Sequence, residues 1–235
     1  MTTHDESRVE RYVEEPITLT RDEVLKTYGV RYIDPGEPRV VEANTDNLYW
    51  YQCFAGAHTI DLCAGDALWW LDVETMTAHV ARGPLKVLSK AFAVMMRGYM
   101  PETMSATFKQ RTTLPYVNGC STKQIFPPNR PGDPTLQLLD IPPFTSEQAH
   151  HIHSTVRCVY VLSGSGRSVV GMNDKIVVEP LTPGKVCVLD PMCPHHFETD
   201  DEHCIVIPFH VWSTVPGAEN NHPMFAGTFM MNHGS

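Results

Sequence analysis

The sequence predicts an all-β chain. Apolar segments are short and closely spaced, too short for core helices. Glycine and proline, 15 and 19 residues, punctuate them with turns. Several segments alternate polar and apolar residues, the period of a half-buried strand.

One helix is expected first. Thr20 caps it, Asp22 and Glu23 fill its first turn, and Val24, Leu25 and Tyr28 follow at helical spacing. Gly29 ends it. Strands are then expected at Leu48–Phe54, His58–Cys63, Asp66–Leu71, Met76–Ala81 and Lys86–Met96. A helix could instead cover part of Leu85–Met96. Turn signals (PYVNG, FPPNRPGDP, IPPF) crowd residues 115–147, with strands near Thr122–Phe126 and Thr135–Asp140. Further strands are expected at Val156–Leu162, Arg167–Gly171, Lys175–Pro180, Lys185–Leu189 and Cys204–Trp212. This pattern argues a sandwich or barrel. It divides the chain into an arm (1–22), a strand-rich region (23–113), a barrel (114–215) and a tail (216–235), with the linker inside 98–121.

At 235 residues the chain can bury a sizeable core. Its formal charge of −9, with no Lys/Arg run, argues against nucleic-acid binding. No apolar stretch is long enough to span a bilayer, and the polar, acidic start lacks the form of a signal peptide. Seven cysteines without regular spacing favour reduced thiols, hence a cytoplasmic setting.

The chemistry-bearing stretch is HHIHSTVRCVYVLSGSG, His150 to Gly166. His151 and His153 are two apart, so in a strand they share a face. Two imidazoles on one inner face are two ready ligands for a metal ion. A third must come from another strand, and LDPMCPHHFETDD offers His195 and His196, with Pro191 and Pro194 stiffening the approach. His150, His196 and His203 read as solvent-side neighbours. Tyr160 stands on the strand that follows the histidines. On the last strand, Val206, Pro208, His210 and Trp212 alternate against Ile205, Ile207, Phe209 and Val211. His210 reaches the site if the even set faces inward.

HIHSTVRCVYVLSGSG and PGKVCVLDPMCPHHFET, in this order and spacing, resemble the two motifs of the cupin superfamily. The resemblance implies a jelly-roll barrel over about 115–215, with His151, His153 and His195 facing inward around a metal. One position departs from the pattern. The first motif carries a glutamate after its histidines, and here Arg157 or Cys158 stands in its place. Arginine cannot ligate a cation, but it presents a fork to a carboxylate.

Within cupins, three-histidine sites resemble the thiol dioxygenases and the β-diketone-cleaving dioxygenases, which use non-haem Fe(II). Cys158 stands at the spacing of the thiol group's cysteine. His210, fifteen residues after His195, matches its later histidine. Trp212 replaces the tyrosine that follows, which removes the cysteine–tyrosine crosslink.

The expected function is therefore a mononuclear Fe(II) cupin dioxygenase acting, with O2, on a small anionic thiol or enolate. His151, His153 and His195 would be ligands and Arg157 the carboxylate partner. His210 and Tyr160 would be proton donors, with Cys158, Trp212 and His196 behind the ligands. Two alternatives stand beside it. One is a Zn, Mn or Ni isomerase, lyase or hydrolase. The other is a non-catalytic binder of a small ligand or of copper, which Cys187, Cys193 and Cys204 would favour.

The segment LCAGDALWWLDVETMTAHV, ending near His79, has features of a second motif: a Gly-Asp turn, an apolar strand and a lone histidine. The N-terminal half therefore reads as a degenerate second cupin or as an extension of the barrel's sheets. Alternation places one of Trp69 and Trp70 inward. A homodimer is expected by analogy with cupins.

Overall fold

The computed structural model describes residues 19–43, 50–109, 114–129, 132–173 and 175–211. The helix α1 (Arg21–Thr27) begins at a capping box. The Thr20 hydroxyl accepts from the Glu23 amide, and the Glu23 carboxylate accepts from the Thr20 amide at 2.7 Å. Its buried face is Val24 and Leu25.

Nine strands precede residue 110. They are β1 (Val30–Ile33), β2 (Arg39–Glu42), β3 (Tyr51–Ala55), β4 (His58–Leu62), β5 (Asp66–Asp72), β6 (Thr77–Arg82), β7 (Leu85–Ser89), β8 (Phe92–Arg97) and β9 (Met104–Thr107). After residue 113 come β10 (Leu114–Pro115), β11 (Ser121–Phe126), β12 (Thr135–Ile141), β13 (Arg157–Gly164) and β14 (Gly166–Met172). The last four are β15 (Lys175–Leu181), β16 (Val186–Leu189), β17 (His195–Glu198) and β18 (Cys204–His210).

They form four sheets. A seven-stranded sheet runs β1-β16-β13-β18-β12-β11-β10 and a three-stranded sheet β15-β14-β17. A six-stranded sheet runs β2-β3-β8-β5-β6-β9, and β4 pairs with β7. The seven- and three-stranded sheets close around an inner core containing Val159, Val161, Val170, Leu181, Phe197 and Val206. The outer face of the seven-stranded sheet packs on the six-stranded one, joining Cys158, Tyr160, Ile207 and Phe209 to Tyr51, Trp69, Phe92 and Met96. A third apolar layer, including Phe54, Ile60, Leu68 and Val87, lies between the six-stranded sheet and the β4–β7 pair.

Residues 85–97 are two strands, not a helix. β8 sits between β3 and β5, and its first five side chains are all buried. A strand covered on both faces needs apolar residues at every position, so its periodicity cannot distinguish it from a buried helix.

The expected boundary at 23 also moves. β1 pairs with β16 in the seven-stranded sheet, Val30 opposite Leu189, and α1 packs on β1, β14 and β15. Residues 21–33 thus build onto the barrel strands β14, β15 and β16, which follow them by over a hundred residues. The salt bridge of Arg31 to Asp190, at 2.6 and 2.7 Å, with Tyr51 Oη at 3.0 Å, ties β1, β3 and the end of β16 together.

Gly164 ends β13 with φ +77, and a Cβ there would lie 1.8 Å from the His203 carbonyl oxygen. Only glycine meets both demands.

Candidate metal centre

Strand alternation on β13 and β18 decides which side chains meet the barrel interior. Arg157 and Val159, and Val206, Pro208 and His210, line a cavity of about 450 Å³. The intervening residues point to the six-stranded sheet. Tyr160 belongs to that outer set, with its ring 5.8 Å from that of Phe92, and Cys158 lies among the same apolar residues. Neither lines the cavity. Tyr160 is therefore corrected from proton donor to packing residue, and Cys158 stands on the far side of its strand from the site. The physical reason is the two-residue period of a strand that begins with Arg157 inward.

His151 and His195 form an isolated antiparallel bridge and exchange backbone hydrogen bonds. Their rings lie 4.6 Å apart on the cavity side. His153 completes the group, its ring 4.5 Å from His151 and 5.3 Å from His195. The Met192 amide, donating to the His153 carbonyl at 2.6 Å, anchors this stretch to the loop before β17.

One ligand nitrogen from each of the three lies within 4.8 Å of the others, and among the described residues this is the single such cluster. The Nδ1 of His151 is 2.8 Å from the Ala149 carbonyl, and the Nδ1 of His195 is 2.8 Å from that of Cys193. A carbonyl can only accept, so each Nδ1 carries the proton and each Nε2 keeps its lone pair.

The Nε2 atoms of His151 and His153 are 2.8 Å apart. Two nitrogens bound at right angles to one ion at about 2.0–2.1 Å would stand about 2.9 Å apart. The three imidazoles thus fit a metal ion in donor type, His151 and His195 also in tautomer, and the His151–His153 pair in separation.

Their charge state fits as well. Burial pushes the imidazole of His195 down to about 3 and holds His151 and His153 low, and the Arg157 charge adds to this in all three. All three are neutral imidazoles at neutral pH, the form that can ligate a metal ion.

Arg157 is 7% exposed and lines the same cavity. Among the described residues, its Nη1 has no hydrogen-bond partner. The acids that could have paired with it across strands are engaged elsewhere: Glu179 with Arg21 and Lys185, Glu198 with Arg167. Burial lowers its guanidinium to about 9. His210 also reaches the cavity, directly across from Arg157 in the β13–β18 register. Burial, then Arg157, holds it well below the ordinary imidazole range.

The remaining candidates stand elsewhere. His196 faces the outer side, its Nδ1 2.8 Å from that of His150 and its Nε2 3.5 Å from Glu198. His150 reaches the Gly171 carbonyl and His203 reaches Asp140. His196 is therefore not behind the ligands, because its neighbour His195 has taken the inward position. Trp212 lies outside the described residues. Cys187, Cys193 and Cys204 are buried, free thiols that join no ligand cluster. His79 is half-buried, stacked on Trp70 and 2.7 Å from the Ser105 hydroxyl. Of the tryptophan pair, Trp69 is the inward ring.

Sequence reading missed Glu147 and two glutamines. Glu147 lines the cavity with 6% exposure, and burial raises its carboxyl to about 8. Its own backbone amide donates to Phe197, and its carboxylate accepts from the Gln148 amide. It lies in a turn-rich stretch with no periodicity to flag it. Gln124 and Gln137 face each other across β11 and β12 on the cavity wall. A lone glutamine inside TLQLLD was the available signal.

Residues 137–211 match the family model described as the cupin domain. No curated protein sequence matches the chain. Among solved structures, a protein provisionally named as glyoxylate-induced, from Pseudomonas aeruginosa, aligns with a TM-score of 0.51 at 11% identity, over 77% of this chain and 79% of its own. At that identity the likeness concerns the fold alone. A cupin 2 conserved barrel domain protein from Leptotrichia buccalis aligns at 0.42 and 14%, over 76% and 91% of the two chains. A variant of Bacillus subtilis oxalate decarboxylase aligns at 0.45 and 10%, over 78% and 75%. The two motifs thus stand on one jelly-roll barrel, and the stretch 137–211 that carries them matches the cupin domain model.

Proposed function

We propose that this chain is a mononuclear metal enzyme, a dioxygenase that uses non-haem Fe(II) on a small anionic substrate of thiolate or enolate type. The observation that carries the reading is the meeting of three neutral imidazole donors and one unpaired arginine in a single cavity. Neutral ligands leave a divalent ion its full charge. Beside Arg157, that makes the cavity strongly positive in a low-dielectric setting, which favours an anion. When bound, iron supplies a meeting point for O2 and substrate. Arg157 orients the substrate's carboxylate, and His210 borders the same space. The apolar wall of Val159, Leu189 and Val206 excludes water.

The test is metal analysis of protein purified without chelator, beside His153→Ala, followed by oxygen uptake with thiols and β-dicarbonyls. About one iron per chain, lost in the variant, with substrate-dependent uptake supports the reading. Zinc, nickel, manganese or copper without uptake counts against it.

Glu147 favours a second reading, a metal-dependent isomerase, lyase or hydrolase. A buried carboxyl at about 8 can hold or release a proton near neutral pH, which non-redox chemistry uses directly.

Two further points belong to this proposal. The N-terminal strands β2–β9 are a degenerate second cupin that holds no ligand cluster among its described residues. The chain works as a homodimer in the cytoplasm. Seven free cysteines support the reducing setting, and exposed Ile176 and Val178 on the edge strand β15 support the contact. Among the described residues, no helix is long and apolar enough to cross a membrane.

A further inference from the structure

Two polar atoms of opposite kind stand unpaired on one cavity wall. Among the described residues, Arg157 Nη1 is a buried donor without an acceptor, and Gln124 Oε1 is a buried acceptor without a donor. Arg157 has no ion-pair partner among the described residues. Each unpaired group is costly, and the two residues do not satisfy one another. A ligand that supplies both partners removes both costs.

The sheet sets their spacing. Gln124 is on β11 and Arg157 on β13, with β12 and β18 between them. Three strand steps and a two-residue offset along the strands separate their backbones by about 16 Å. Both residues line the cavity, so the two long side chains close on it from opposite ends and leave room for a short carbon chain. Gln137, opposite Gln124 in register, widens the polar end, while Val159 and Pro208 keep the middle apolar.

We infer that the site takes a short carboxylate that carries a hydroxyl or N–H donor away from the carboxylate, the carboxylate on Arg157 and the donor on Gln124. This deepens the proposed function, on which it rests for the place of the ligand, by naming the substrate class.

The experiment is calorimetric titration of the protein, with and without its metal. The probes are three pairs: acetate and glycolate, propionate and 3-hydroxypropionate, butyrate and 4-hydroxybutyrate. In at least one pair the hydroxylated acid is expected to bind roughly tenfold more tightly. Gln124→Leu should erase that preference and leave the plain acid's affinity unchanged. Arg157→Gln should weaken both members at least tenfold. Equal binding within every pair, a preference that survives Gln124→Leu, or no binding by any probe overturns the inference.

The comparison within pairs uses the parent protein, so it stands even if a variant fails to fold. Metal content is measured on the same samples. A bound metal without hydroxyl preference sinks the inference and leaves the metal reading intact. Preference without any metal does the reverse.

Discussion

His151 and His195 face each other across a single antiparallel bridge, with amide-to-carbonyl distances of 3.0 and 2.9 Å. This pair is what makes the site a fixed object. Directly opposite residues of a bridge point to the same face, so backbone hydrogen bonding itself holds two imidazoles side by side. His195→Ala should therefore abolish metal retention: stoichiometry should fall from about one per chain to near zero after dialysis. His196→Ala, one residue along and on the other face, should retain metal. Elemental analysis of both variants checks this, and equal loss in the two would mean that the wrong face was assigned.

Among the described residues Arg157 is a buried charge without a partner, so its removal should relieve the fold. Arg157→Met keeps much of the aliphatic packing and removes the cation. The metal-free variant should be more stable to urea by about 1–3 kcal/mol, the usual cost of an unsatisfied buried polar group. Small carboxylates should bind it at least tenfold more weakly. A variant that is less stable and binds as before would assign Arg157 a structural role.

Glu147 predicts a pH dependence with a definite sign. Its folded carboxyl titrates at about 8, raised by burial from an ordinary value of 4.5. The native state therefore holds this proton where the unfolded chain has lost it. Stability from this group is complete below about 4.5 and is lost as pH rises through about 8. His195, lowered to about 3, acts oppositely but only below about 6.5. Between pH 6.5 and 8.5, metal-free protein should lose stability, and Glu147→Gln should flatten the decline. Urea midpoints at several pH values decide it, and parallel curves for parent and variant would refute the assignment.

Gly164 should not tolerate a side chain. Gly164→Ala combines a left-handed backbone with a Cβ at 1.8 Å from the His203 carbonyl oxygen. A loss of at least about 2 kcal/mol is expected, from the left-handed conformation plus a rigid backbone clash. Chemical denaturation measures it, and a loss below half of that would show that the turn can shift.

Much of the barrel was legible because its strands alternate and end at glycine or proline. Arg157 and Val159 were expected in the strand Val156–Leu162 and stand in β13 (Arg157–Gly164), and His210 was expected on the last strand and ends β18. His151, His153 and His195 were legible as a ligand set from spacing, and the structure brings them together. β8 was ambiguous because burial on both faces erases alternation. Glu147 was invisible because its place depends on a backbone bond to Phe197, fifty residues away in sequence. The outward turn of Tyr160 and the inward turn of Arg157 were equally open, since alternation relates neighbours but does not say which set faces the interior.

By itself, the sequence determined the all-β class, the strand periods and the three imidazoles, because these depend on local composition and spacing. Only the tertiary structure decided that β1 joins the barrel's sheet, that Tyr160 packs outward, and that Arg157, Gln124 and Glu147 share one cavity. Those outcomes rest on which strands pair and which face is covered, and such long-range contacts leave no period in the chain.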